Sequence, residues 1–126
     1  MSRYTFGKSE KLCSKLMIDE LFRSGKSFKQ YPIRVIYKEV EQTDANAKVL
    51  ITVPKKRFIK AVSRNYVKRL VREAYRLTKP DLIEKWHNEG KYFALAFVYI
   101  GNEIPEFVDT KRTMQLIIEQ LNKINE

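Results

Sequence analysis

The sequence predicts an α+β domain: a sheet of about four strands, antiparallel at least in part, packed with helices in the order α-β-β-(β)-α-β-α. Three observations predict it. Residues 33–40, IRVIYKEV, alternate with period two. Residues 92–100, YFALAFVYI, form a nearly continuous apolar run that suits a strand covered on both faces. Amphipathic segments of helical period flank them at 14–24, 64–78 and 109–124. With 126 residues, 44% of them hydrophobic, the chain suits one core, so 1–126 is read as a single domain with loose ends at 1–8 and 125–126.

Each element has its own signal. In SKLMIDELFRS, Met17, Ile18, Leu21 and Phe22 share a helical face, Ser14 can cap the start and Gly25 can end it. In the first strand Ile33, Val35 and Tyr37 share one face while Arg34, Ile36 and Lys38 take the other. The polar stretch EQTDANA then turns the chain into KVLITV, residues 48–53, and an antiparallel hairpin is the economical pairing. Pro54 ends that strand. A helix follows from about Arg64 to Thr78, with Ser63 as N-cap, a Val62–Val67 hydrophobic staple and Pro80 as the stop. After the apolar strand, Met114, Ile117, Ile118, Leu121 and Ile124 form one stripe of a last helix.

Charge narrows the function. The net charge is +10 and the pI near 9.7, and ten lysines and arginines stand against one acid, Glu73, between Lys55 and Lys79. One polyanion site is implied. No apolar run is long enough for a membrane span and the N-terminus has no secretion-signal pattern, so a cytoplasmic protein is expected. The lone Cys13 has no Cys or His at ligand spacing and reads as a reduced thiol.

On a helical wheel with Arg64 at zero, Lys68 falls at about 40°, Arg72 at 80°, Asn65 at 100°, Arg76 at 120° and Arg69 at 140°, while Val67, Leu70, Val71, Ala74 and Leu77 fill the arc from roughly 220° to 340°. One side feeds the core and the other is cationic. A face built for solubility alone would alternate signs; this one accepts three like pairs in a row at i,i+4, each costing about 0.2–0.5 kcal/mol. A phosphate partner reverses the sign of those terms, and Lys55, Lys56, Arg57 and Lys60 just upstream would attract the same anion. Nucleic acid fits better than a membrane, because the apolar face is already committed to the core. If about five phosphates are neutralised, log affinity falls with log salt at a slope of roughly −4. A DNA reader is disfavoured, since no second helix lies one short turn before the basic one.

The run SRNYVKRLVREAYR, preceded by VPKKRFIKAV, resembles the signature of the bacterial ribonuclease P protein component. Arg64 and Asn65 stand at the first two positions of an Arg-Asn-Arg motif whose third arginine is Tyr66 here, and Lys68, Arg69 and Arg72 continue its pattern. IDELFRSGKSF and VIYK resemble the family's first helix, glycine turn and first strand, and FALAFVYI and the last helix agree in kind and order. The resemblance implies a ribosomal-protein-type fold with a left-handed βαβ crossover. It implies an accessory subunit of a ribozyme that removes the 5′ leader from precursor tRNA using magnesium bound to the RNA. The implied partners are that catalytic RNA, contacted by the basic helix and the lysines before it, and the single-stranded leader, held in a cleft between the first helix and the sheet. Carried across by position, the cleft includes Ile18, Phe22 and Tyr37; Ile18 stands where the family has an aromatic. The loop KKRFIKAV lacks the family's glycine and is one residue longer. For Ile18, Phe22 and Tyr37 a core role and a leader role both stay open, as do packing and RNA contact for Tyr66, near 200° on the wheel. A structural or ribosomal RNA-binding protein without turnover is the alternative.

The chain carries no complete catalytic constellation of its own. Asp19 and Glu20, adjacent on a helix, diverge by about 100°, and His87 in KWHNEG reads as a surface or loop histidine. No cofactor or metal bound by the protein, no membrane and no DNA are expected.

Overall fold

The computed structural model describes residues 6–124. In chain order it contains a 3-10 turn (Lys8–Glu10), α1 (Lys15–Ser24), β1 (Lys26–Gln30), β2 (Ile33–Val40), β3 (Ala47–Thr52), α2 (Ala61–Thr78), α3 (Pro80–Glu89), β4 (Tyr92–Tyr99) and α4 (Phe107–Lys123). The strands form one sheet in the order β1-β2-β4-β3. β1 pairs antiparallel with β2 and β2 antiparallel with β4, but β3 pairs parallel with β4.

That arrangement corrects the expected hairpin. β4 inserts between β2 and β3 because it is the strand that most needs covering. Phe93, Leu95, Phe97 and Tyr99 fill one face while Ala94 and Ala96 are buried on the other, and a central position removes both edges from water. The Asn46 carbonyl accepts from the Phe93 N–H at 2.9 Å and its side chain donates to the Lys91 carbonyl at 2.9 Å, so the 41–46 connection is pinned at the start of β4. A parallel β3–β4 pair needs a long crossover, and α2 and α3 supply it.

Two elements escape the sequence signals. β1 is a polar strand, KSFKQ, whose one apolar residue, Phe28, packs against Tyr37 with ring centroids 6.0 Å apart. α3 begins where Pro80 was expected only to stop a helix. Proline at the first helical position gives up no hydrogen bond, and Gly90 at φ 67° closes the other end in the left-handed conformation. Leu82 and Trp86 are the buried side of α3, and the Trp86 ring stacks on Phe93 at 4.2 Å.

The larger core lies between the sheet and α2, α3 and α4. It joins Ile33, Val35, Val49, Leu95 and Phe97 to Val67, Val71, Ala74, Tyr75, Leu82, Met114, Ile117 and Leu121. The arc predicted for α2 is buried as expected except that Leu77 is half-buried, and Tyr75 joins it. On the opposite face α1 packs across β2 and β4, with Leu12, Leu21, Ala94 and Ala96 at the centre of a smaller core. The Met17 N–H donates to Ser14 Oγ at 3.3 Å, as the predicted cap requires. Gly25 ends α1 for reasons of space: its φ is −72°, but a Cβ there would stand 2.5 Å from the Leu21 carbonyl oxygen and 3.0 Å from Ile36 Cγ2.

Within the segment 1–8 expected to be loose, Phe6 is packed while Gly7 and Lys8 are exposed. The Phe6 ring meets Tyr75 edge-on at 5.9 Å, and Glu10 pairs with Lys79, whose side chain is only 4% exposed and lies 5.6 Å from the Phe6 centroid. Further on, the Leu12 N–H donates to the Val49 carbonyl at 2.9 Å on the outer edge of β3. The expectations for 1–5 and 125–126 fall outside the described residues.

Candidate nucleic-acid interface

The basic helix starts earlier than its sequence signals indicate. Lys60, not Ser63, is the N-cap, and it makes no side-chain capping bond; Val62 lies inside the helix and is 80% exposed, so there is no staple. The entry loop is tied down from inside the helix. Arg64 donates to the carbonyls of Phe58 and Ile59 at 2.8 and 2.7 Å, tying the preceding loop to the first turn. One guanidinium thereby satisfies two loop carbonyls just before the helix.

Along α2 the cationic stripe is on the surface. Arg69 and Asn65 are exposed and Lys68 and Arg72 half-exposed; upstream, Lys55, Lys56 and Lys60 are exposed. None of the lysine and arginine side chains in that group has a hydrogen bond or close ion pair to another described residue, although the Arg72 charge helps hold the Glu73 carboxyl down. Arg57 is half-buried, reaching Asn102 Oδ1 at 3.2 Å, while its Nε is buried with no partner. Arg76 differs: Glu73 takes its Nε at 2.6 Å and its second amino group at 3.2 Å, and that guanidinium holds the Glu73 carboxyl below the usual carboxylate range. Lys79, the last base of the run, is buried against Glu10 and does not reach the surface. The protein's own acids therefore neutralise only the C-terminal end of the run.

The fold also adds a cation that the sequence did not place there. Lys11, on the strap that leads into α1, lines one depression with Lys68 and Arg72 across Leu12, Cys13 and Leu50. Only tertiary structure brings it there, because it lies far from α2 in the chain. Cys13 is an exposed free thiol beside these bases.

The three cleft residues are not brought together. Ile18 is half-buried and Phe22 46% exposed on α1, at the sheet face lined by Ala94 and Ala96. Tyr37, by contrast, is in register with Leu95 and packs with Phe28 in the larger core, on the opposite face. A one-residue step along a strand reverses the face, and Ile36 is the residue that meets α1. The alternation noted for 33–40 carried this signal already. Lys38 lies on the α1 side as well, bonded to Ser24 Oγ at 2.9 Å and paired with Glu20 at 3.2 Å.

The ribonuclease P family model matches residues 6–102. The chain belongs to the ribonuclease P protein family. A relative named ribonuclease P protein component from Porphyromonas gingivalis is 45% identical over 114 residues, covering 88% of this chain and 83% of its own length. One from Chlorobium phaeobacteroides is 37% identical over 103 residues, covering 75% and 70%. Among solved structures, the Staphylococcus aureus RNase P protein superposes with a TM-score of 0.72 over 94% of this chain and all of its own, at 16% identity. That of Thermotoga maritima gives 0.65 over 88% and 96%, at 23% identity. At those identities the structures establish the shared α+β fold. Membership makes the chain a protein component of an endoribonuclease of tRNA processing, with RNA as its partner. Among the described residues no helix is long and apolar enough to cross a membrane.

Proposed function

We propose that the chain is the RNA-binding subunit that docks on the catalytic RNA of ribonuclease P and helps it remove the 5′ leader of precursor tRNA. The observation that carries this reading is the set of bases on and before α2, Lys55, Lys56, Lys60, Lys68, Arg69 and Arg72, held at the surface with no side-chain hydrogen bond or close ion pair among the described residues. Like charges so arranged repel one another until an anion of matching extent arrives, and a folded RNA supplies one. Arg64 and Asn65 open the same helix, with Arg64 fixing the loop that presents Lys55, Lys56 and Arg57.

The surface of α1 that carries half-buried Ile18 and exposed Phe22, next to the sheet face of Ile36, is in this reading the place for the single-stranded leader. Its apolar side chains suit bases more than phosphates. Magnesium, in this reading, is held by the RNA and supplies the activated water for hydrolysis. The protein's part is positioning and charge compensation.

Reconstitution tests this. Purified chain added to its RNA subunit at low magnesium should restore leader removal from precursor tRNA, and Lys68→Glu with Arg72→Glu should abolish the stimulation while the circular dichroism spectrum stays unchanged. No stimulation by the unaltered chain would overturn the proposal.

A further inference from the structure

At the start of α2, three large apolar side chains stand in water among the bases. Ile59 is 91% exposed, Val62 80% and Tyr66 44%. Val62 and Tyr66 are four residues apart on the helix and so share a face, and Arg69 is one turn beyond Tyr66. Ile59 lies in the loop just before the N-cap, and its carbonyl is held by Arg64 at 2.7 Å, which fixes how the loop enters the helix. The apolar arc of α2 is buried elsewhere, so these residues are not a spill-over of the core.

We propose that Tyr66, with Val62 one turn before it on the same helix face, is a base-stacking platform on which an unpaired nucleobase of the docked RNA lies flat. Lys60 and Arg69 take the phosphates on either side. This rests on the RNA-docking function proposed above and adds to it a contact that does not depend on charge.

The choice of occupant follows from the surroundings. Exposed apolar area on a turn flanked in the chain by exposed Lys60 and Arg69 needs a partner that carries anions and apolar planes at close spacing. Nucleic acid combines the two in every residue. An anionic membrane is the other polyanion with apolar matter, but a helix lying in it would present apolar residues along its length. Here the exposure is confined to one turn and its entry loop, about the breadth of a base.

The experiment measures equilibrium binding of the full chain to ribonuclease P RNA across a salt series, for wild type, Tyr66→Ala and Tyr66→Phe. Tyr66→Ala should lower affinity about 5- to 100-fold at every salt concentration while leaving the log–log salt slope unchanged, the mark of a lost uncharged contact. Tyr66→Phe keeps the ring and should bind within about twofold of wild type. Tyr66 is surface-exposed, so both variants should keep the wild-type melting temperature. Wild-type affinity in Tyr66→Ala overturns the platform and leaves RNA docking intact; equal weakening in Tyr66→Phe overturns stacking in favour of the hydroxyl. A parallel series with phosphatidylserine–phosphatidylcholine vesicles covers the other class. Tyr66-dependent vesicle binding with unaltered RNA affinity assigns the patch to lipid and overturns the proposal. If wild type binds the RNA with no salt dependence, the docking function itself fails, and the platform with it.

Discussion

Removing Lys68 and Arg72 together should change how the protein responds to salt more than how it folds. Both lie on the open side of α2 with no side-chain hydrogen bond or close ion pair among the described residues, so truncation to alanine breaks no internal bond and removes only the longer-range pull of Arg72 on Glu73. Six unpartnered bases, Lys55, Lys56, Lys60, Lys68, Arg69 and Arg72, are available to phosphates. If each neutralises one, the log–log salt slope is about −5 for duplex-like RNA and about −3.5 for the double variant. Between about 50 and 200 mM salt the wild type then loses roughly three orders of magnitude in affinity and the variant roughly two. Filter binding to ribonuclease P RNA over that range reads both numbers. Arg76→Ala serves as the comparison, because Glu73 already engages that guanidinium; its slope should move by less than one phosphate's worth, about 0.9. A double variant with the wild-type slope would show that these two residues do not meet phosphate, and the docking surface would have to be sought elsewhere.

Glu10→Ala leaves the Lys79 ammonium buried without its carboxylate, and urea unfolding should show a loss on the order of 3 kcal/mol. Gly25→Ala puts a methyl group against the Leu21 carbonyl and Ile36; the end of α1 must lift from the sheet, costing about 1–3 kcal/mol in the same assay and weakening leader affinity in the holoenzyme. Alkaline titration followed at 295 nm should find tyrosines that resist ionisation. Burial pushes Tyr99 up to about 12, helped by Tyr31 and Glu103, and burial holds fully enclosed Tyr75 above the usual phenol range. Since the folded state keeps those protons longer than the unfolded chain, their contribution is intact below pH 10, and stability falls as pH climbs from about 10 through 12. Ionisation of every tyrosine in one step near pH 10, with the fold still intact, would contradict the packing.

The elements most legible in the sequence were those whose periodicity records a one-sided environment. β2 was read to the residue, and the ends of α1, β4 and α4 within a residue or two, because Ser14, Gly25 and the apolar run of β4 act locally. Strand order was not legible. Nothing in 41–46 says whether the chain turns back beside β2 or steps over a neighbour, and the outcome depends on β4, forty residues later. α3 was missed through treating Pro80 as an end when the same residue can begin a helix. For the site, α2 and its cationic side were readable from spacing, since the i,i+4 series from Arg64 through Arg76 is intrinsic to the sequence. The pairing of Arg76 with Glu73 and the burial of Lys79 were only half readable. Glu73 is a helical neighbour of Arg76, whereas Glu10 reaches Lys79 from the far end of the chain. Tyr37 was set in the cleft by likeness of position, against its own alternation pattern, which assigned Ile36 to that face.

The strap from Gly7 to Ser14 has a consequence for handling the protein. β3 is an outer strand, and Lys11 and Leu12 occupy its free side where another molecule's backbone could otherwise add on. Shortening the chain at its beginning, or pulling there with a bulky tag, would unlatch Glu10 and bare that rim. Loss of solubility by strand-to-strand aggregation would then precede any loss of RNA contact.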